Sequence, residues 1–205
     1  MIRYRTVKKE AAAETEFQRS RFIGYIAHAA SREAAEDYVR RIRTEHRQAT
    51  HCVPAYIVGE KMELMWTSDD GEPQGTSGPP ILQMLEREGL TNVVCVVVRY
   101  YGGTKLGTGG LVRAYTQTAK EALEAAGIRE VRERTILTVH VPYAILGKLQ
   151  NLEGEQPFTI GEIVYGEDVK ITLQFETRYL ERIEGVLSDL NNGMPRVLER
   201  RDLLF

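Results

Sequence analysis

The chain has 205 residues, 42% of them hydrophobic and 27% charged, with a formal net charge of −2. That composition excludes global disorder, and no apolar run approaches the roughly 18 residues that span a bilayer. The length accommodates one large domain or two small ones. Charge is uneven: residues 136–205 carry 7 Lys and Arg against 11 Asp and Glu, and residues 1–135 carry 20 against 18. A protein held to nucleic acid by phosphate contacts alone has a stronger basic excess, so any such contact is expected to be local and N-terminal.

The opening Met1-Ile2-Arg3-Tyr4-Arg5 lacks the apolar centre of a signal peptide, which makes the cytoplasm the expected compartment. Arg21–His28 reads as the first strand. Ser31 is a helix cap, followed by Glu33, Glu36 and Asp37 at the positive end of the dipole and Arg40, Arg41 and Arg43 at the negative end. Ala34, Ala35, Tyr38, Val39 and Ile42 supply that helix's buried stripe. Strands are expected near 51–59 and 62–66. Residues 68–80 are polar and rich in Gly and Pro, hence a loop, leading into a short helix at 81–85 with Ser77 as its candidate cap.

Residues 92–99 form a nearly continuous β-branched run, the pattern of a strand covered on both faces. A second glycine loop at 101–110 opens into a helix ending near Ala126, with Gly127 as its stop. From Ile136 the expected order is strand (136–141), helix (143–153), strand (158–165), strand (168–175), helix (177–191) and strand (195–203). This βαββαβ order is the ferredoxin-like split unit. The charged stretch Arg129–Arg134 marks the junction, giving domains of 1–134 and 135–205 in an α+β fold. Cys52 and Cys95 both fall in strand-like segments and read as buried small hydrophobes rather than a disulfide, and no Cys/His spacing suits a metal.

Two loops carry whatever chemistry there is. The first is Ser68-Asp69-Asp70-Gly71-Glu72-Pro73-Gln74-Gly75-Thr76-Ser77-Gly78, and the second runs from Arg99 to Arg113. Each precedes a helix N-terminus, whose free N–H groups attract anions. Five glycines in the nine residues 102–110 exceed what one turn needs, and Lys105, Arg99 and Arg113 add positive charge. The order of residues is not that of a Walker loop. Both an anion site and tight turns around close helix–sheet packing remain open on this local evidence. Arg99, Tyr101, Gly102, Gly103, Lys105, Gly107, Gly109, Gly110 and Arg113 are the candidate anion or nucleic-acid-binding residues.

Asp69, Asp70 and Glu72 have three readings: ligands to a divalent cation, acid–base groups, or partners of Lys105, Arg99 and Arg113 that hold the loops together. The last is preferred, because no further acidic or His ligand is placed to complete a metal shell. His51, Asp69, Asp70, Glu72 and Thr76 are thus expected to order a groove. His51 and Cys52 are adjacent in a strand and point to opposite faces, which argues against a Cys/His nucleophile. Tyr100 and Tyr101 read as packing and rim residues, with stacking on a base left open.

Together the two loops resemble the signature of the IMPACT/YigZ family: Ser68-Asp69-Asp70-Gly71-Glu72-Pro73-x-Gly75-Thr76-x-Gly78, then Arg99-Tyr100-x-Gly102-Gly103-x-Lys105-Leu106-Gly107-x-Gly109-Gly110-Leu111-x-Arg113-Ala114-Tyr115, with Ala49-x-His51 upstream. The resemblance covers about residues 15–128. It implies an N-terminal domain similar to the second domain of ribosomal protein S5 and a C-terminal domain similar to the last domain of elongation factor G. Eukaryotic members act on translational control. The function implied is a non-catalytic, translation-linked regulator that binds RNA, the ribosome or a translation factor through the glycine-rich groove, without a cofactor, a metal, a membrane or a DNA-sequence-reading element. The alternative is an enzyme acting on a phosphorylated metabolite or nucleotide, with Asp69 or Asp70 as base or Mg²⁺ ligand. A module that binds only protein is a third option.

Overall fold

The computed structural model describes residues 2–204. The described residues divide into two compact units, one of Tyr4–Glu130 and one of residues 131–204 that also takes in Ile2 and Arg3. In chain order the elements up to α3 are β1 (Ile2–Val7), β2 (Ala11–Phe17), β3 (Ser20–His28), α1 (Arg32–Glu45), β4 (His51–Val58), β5 (Leu64–Thr67), α2 (Gly78–Arg87), β6 (Val93–Tyr100) and α3 (Gly107–Ala126). Strands β2-β3-β6-β4-β5 form one sheet whose neighbours are all antiparallel.

β6 is the centre of that sheet, and its alternation sorts the core. Val93, Cys95 and Val97 pack with Ile81 and Leu85 of α2 and Leu111 and Tyr115 of α3. Val94, Val96 and Val98 pack with Ala35 and Ile42 of α1. Helices therefore cover both faces, which is why the strand reads as an unbroken apolar run. Cys52 and Cys95 are buried in the two different clusters, as free thiols. Ser31 Oγ accepts the Ala34 N–H at 3.2 Å, closing the first turn of α1.

The second part comprises β7 (Ile128–Val141), α4 (Tyr143–Leu152), β8 (Thr159–Tyr165), β9 (Val169–Glu176), a single 3₁₀ turn (Thr177–Tyr179), α5 (Leu180–Asn191) and β10 (Arg196–Leu204). Its sheet has the order β1-β7-β9-β8, with β10 also on β7. The run β10-β7-β9-β8 is antiparallel throughout, which places the four strands of the βαββαβ unit in the order fourth, first, third, second. Leu137 and Val139 of β7 and Ile171 and Leu173 of β9 form its core with Ile145 and Leu149 of α4 and Ile183 and Leu187 of α5.

Three features differ from the sequence reading. Strands β1 and β2 precede the first expected strand. The strand expected at 136–141 begins earlier, at Ile128, so residues 129–134 lie within the 14-residue strand β7, and only Val131 of them is buried. The helix α3 begins at Gly107, so Gly109 and Gly110 of the loop are helical. Among the described residues no helix is long and apolar enough to cross a membrane.

Candidate anion-binding site

The acidic loop is held by its own carboxylates. Asp69 accepts the N–H groups of Gly75 (2.8 Å), Ser77 (3.1 Å) and Gly78 (2.9 Å) and the Ser77 hydroxyl at 2.7 Å. It is therefore Asp69 that caps α2. Ser77, expected to cap, stands at the N-cap position but makes no capping bond and donates its hydroxyl to Asp69 instead. Burial pushes the Asp69 carboxyl up, but these four hydrogen bonds outweigh it and hold the group below its ordinary range.

Asp70, in a left-handed conformation, accepts the Cys52 N–H at 2.7 Å on one oxygen and the Arg43 guanidinium at 2.8 Å on the other. Its carbonyl accepts His51 Nδ1–H at 2.8 Å. A carbonyl can only accept, so the tautomer is fixed and Nε2 faces Glu72, 3.8 Å from Oε1. Thr76 donates its hydroxyl to the Pro73 carbonyl at 2.6 Å and fastens the loop to itself.

Glu72 joins this loop to the second one. Its side chain is 3% exposed, and Oε1 accepts both Arg99 Nη1 and the Tyr115 hydroxyl at 2.7 Å. Burial, with the Glu72 bond second, pushes the Tyr115 phenol far up, so it stays a donor. Arg99 projects from β6 on the α3 side, is 5% exposed, and reaches Ser20 Oγ at 3.3 Å. Its guanidinium lies 5.4 Å from the Phe22 ring and 5.3 Å from the Tyr101 ring. Arg99 is consequently not an open phosphate ligand: its charge is matched by Glu72 inside the protein. Of the loop-to-loop pairs expected among Asp69, Asp70, Glu72 and the three cations, only Glu72–Arg99 forms. Arg43, legible in the sequence only as a favourable charge at a helix end, is the partner of Asp70.

The glycine loop is then pinned at Gly102, where close contacts leave no room for a side chain. A Cβ on Gly102 would sit 1.9 Å from the Arg19 carbonyl oxygen, and the Gly102 N–H donates to Ser20 Oγ at 3.2 Å. Tyr101 N–H donates to Thr50 Oγ1 at 3.0 Å while its ring stays 45% exposed. Gly103 and Gly107 have φ of +84° and +72°, conformations open to glycine.

At the start of α3 the N-cap position is Leu106, which offers no side-chain acceptor, and the first turn holds no acidic residue. Its first N–H groups have no acceptor within the helix, and Gly107, Thr108 and Gly109 are exposed. A Cβ on Gly109 would meet no atom within 4 Å, so no internal contact requires glycine there. Lys105 is exposed and, among the described residues, has no ion-pair or hydrogen-bond partner. A cleft of about 340 Å³ beside it is lined by Glu72, Arg99, Tyr101, Lys105, Gly107 and Thr108. Arg113 is exposed but lies on the other flank of the helix end, beside Phe17, Gln18 and Gly110. The sequence placed all three cations in one groove, whereas Lys105 and Arg113 flank the helix end and Arg99 lies beneath it.

Sequence reasoning missed Ser20 and the buried role of Tyr115. Tyr115 falls on the apolar stripe of α3, so its hydroxyl looks incidental. Nothing local marks Ser20, which meets Arg99 through strand pairing alone.

Residues 18–123 match the Impact N-terminal domain, and residues 139–193 match a domain of unknown function, DUF1949. The IMPACT family member YvyE of Bacillus subtilis is 35% identical over 196 residues, which cover 96% of this chain and 90% of that protein. The family member YigZ of Escherichia coli is 34% identical over 185 residues, 89% of this chain and 91% of that one. The crystal structure of a hypothetical protein, 31% identical, superposes with a TM-score of 0.59 over 95% of this chain and 96% of its own. Two domain matches in this order, and relatives of similar length over nearly the whole chain, establish that the protein belongs to the IMPACT family.

Proposed function

We propose that the protein is a non-catalytic, translation-linked regulator that grips RNA phosphate at the N-terminus of α3, on the ribosome or on RNA associated with it. The observation that carries this reading is the uncapped, glycine-exposed start of α3 beside the unpartnered Lys105. Free N–H groups and the helix dipole favour an anion there, and an exposed cation adds to the attraction. Tyr101 offers a half-exposed ring next to that position, on which one base can stack. Glu72 and Arg99 act from beneath by fixing the two loops, and Arg113 offers a second phosphate contact on the far flank. The link to translation comes from the family, whose eukaryotic members act on translational control.

Asp69 and Asp70 are poorly suited to the enzymatic alternative. The oxygens of both already accept hydrogen bonds that shape the loop, and Asp69 is held ionised with its lone pairs directed at backbone donors. As a general base or a magnesium ligand, Asp69 would have to give up the cap of α2 and Asp70 its bonds to Cys52 and Arg43.

Cosedimentation of the full chain with ribosomes over a salt series tests the proposal, with Lys105→Ala and Arg113→Ala alongside. Binding that weakens with salt and is lost in the double variant supports it. Binding that keeps its strength and salt slope in the double variant rejects the site. Binding that survives removal of RNA by nuclease rejects RNA as the ligand.

A further inference from the structure

A second surface shares only Gly109 and Arg113 with that site. Between α2 and α3 runs a groove of about 420 Å³ bordered by Arg87 from the last turn of α2 and by Arg113 and Lys120 from α3. All three are exposed, and among the described residues none has an ion-pair or hydrogen-bond partner. The acidic residue in the lining is Glu88 alone. Val112, 38% exposed although it lies in a helix, is the apolar group that faces solvent there, and the edge of Met84, 4% exposed, forms the floor beneath it. A branched apolar side chain facing solvent between unpaired cations is a combination that folding does not require.

No aromatic ring lines the groove, so there is no platform for nucleobases. Its polar borders and apolar Val112 suit a protein segment, and its charge selects an acidic one. Arg113 and Lys120 are seven residues apart on one helix, or about 10.5 Å along its axis. Carboxylates seven residues apart on a facing helix have the same spacing.

We infer that the α2–α3 groove docks an acidic amphipathic helix of a partner protein, with its apolar stripe on Val112 and Met84 and its carboxylates against Arg87, Arg113 and Lys120. The docking surface is separate from Lys105 and the cleft beside it, and it stands whether or not RNA binds at the start of α3.

The probe is a labelled synthetic peptide of about five helical turns, with leucines along one stripe and glutamates at i and i+7 beside it. A second peptide has Gln for every Glu, and unlabelled oligouridine serves as competitor. Anisotropy with the full chain is expected to show binding of the Glu peptide, at least about tenfold weaker with Arg87→Glu plus Lys120→Glu and similarly weakened by Val112→Asp. Lys105→Ala is expected to leave it unchanged, which separates this surface from the RNA site. The substituted side chains are exposed and unpartnered, so the variants are expected to melt with the parent. Equal binding of the Gln peptide, no effect of the double charge reversal, or no binding of the Glu peptide at about millimolar concentration would overturn the inference. Displacement of the Glu peptide by oligouridine, dependent on Arg87 and Lys120, would overturn it in favour of an RNA path along the groove.

Discussion

Replacing Glu72 by Gln removes a counter-charge and little else. The amide keeps an oxygen where Oε1 now accepts Arg99 Nη1 and the Tyr115 hydroxyl, both at 2.7 Å. What is lost is the negative charge facing a guanidinium that is 6% exposed in its side chain and has an Nε without an acceptor. Breaking a buried ion pair from one side costs about 3–5 kcal/mol, and the retained hydrogen bonds place Glu72→Gln near about 3 kcal/mol. Glu72→Ala also loses two hydrogen bonds, at about 1 kcal/mol each, and is expected near about 5 kcal/mol. Urea unfolding followed by the fluorescence of Trp66, the single tryptophan, stacked on Tyr56 in the same sheet, reads the N-terminal unit. With a slope of about 2 kcal/mol/M, the Gln variant should lower the midpoint by about 1.5 M. Adding Arg99→Met to Glu72→Gln should recover part of the loss, because the orphaned charge is gone. A loss below about 1 kcal/mol for Glu72→Gln would refute the reasoning, since it would mean that the guanidinium is solvated.

Asp69→Asn keeps one oxygen for the start of α2 but sets an NH2 against the Gly75 N–H and removes the charge, and should cost about 1 kcal/mol at neutral pH. The folded-state pKa of Asp69 is depressed below its ordinary 3.8, so its contribution is complete above that value and disappears as pH falls through the folded pKa. Urea midpoints of parent and variant should therefore converge only in acid, and a gap that widens in acid would reverse the assignment. Gly102→Ala should destabilise by about 3 kcal/mol, because the new methyl meets the Arg19 carbonyl, as a melting curve would show. Gly109→Ala has open space and should stabilise α3 by about 0.5 kcal/mol while weakening RNA binding, a split readable from melting and anisotropy on one sample. Burial pushes the Cys52 thiol up to about 11, against a weaker pull from Arg43, and the Cys95 thiol up to about 12. Neither should react with a thiol reagent at pH 8 until the protein is unfolded.

Legibility in the sequence followed how local the determinant is. β6 could be read because six consecutive apolar residues leave no amphipathic alternative, and α1 because cap, charges and stripe agree. β2 could not, since Ala11-Ala12-Ala13-Glu14-Thr15-Glu16-Phe17 has weak strand propensity and is held by its pairing with β3. β7 is legible only from Ile136, because before it Ile128 and Val131 are the only apolar residues of the strand, set among charged ones. In the site, both loops and their residue types were legible. The partner of each carboxylate was not, because Glu72–Arg99 spans 27 residues and Asp70–Arg43 spans 27, set by which strands lie side by side. The helical state of Gly109 and Gly110 was hidden by glycine's poor helix propensity, which the packing of Leu111 and Tyr115 overrides.

The central claim is that the start of α3 binds phosphate with the help of Lys105. Anisotropy of labelled single-stranded oligouridine with the full chain, parent against Lys105→Ala, across a salt series tests it most directly. The account predicts weaker binding by the variant and a logarithmic salt slope shallower by about 0.7, the loss of one phosphate contact on a single strand. An unchanged slope and affinity in Lys105→Ala, with the parent binding, would contradict it.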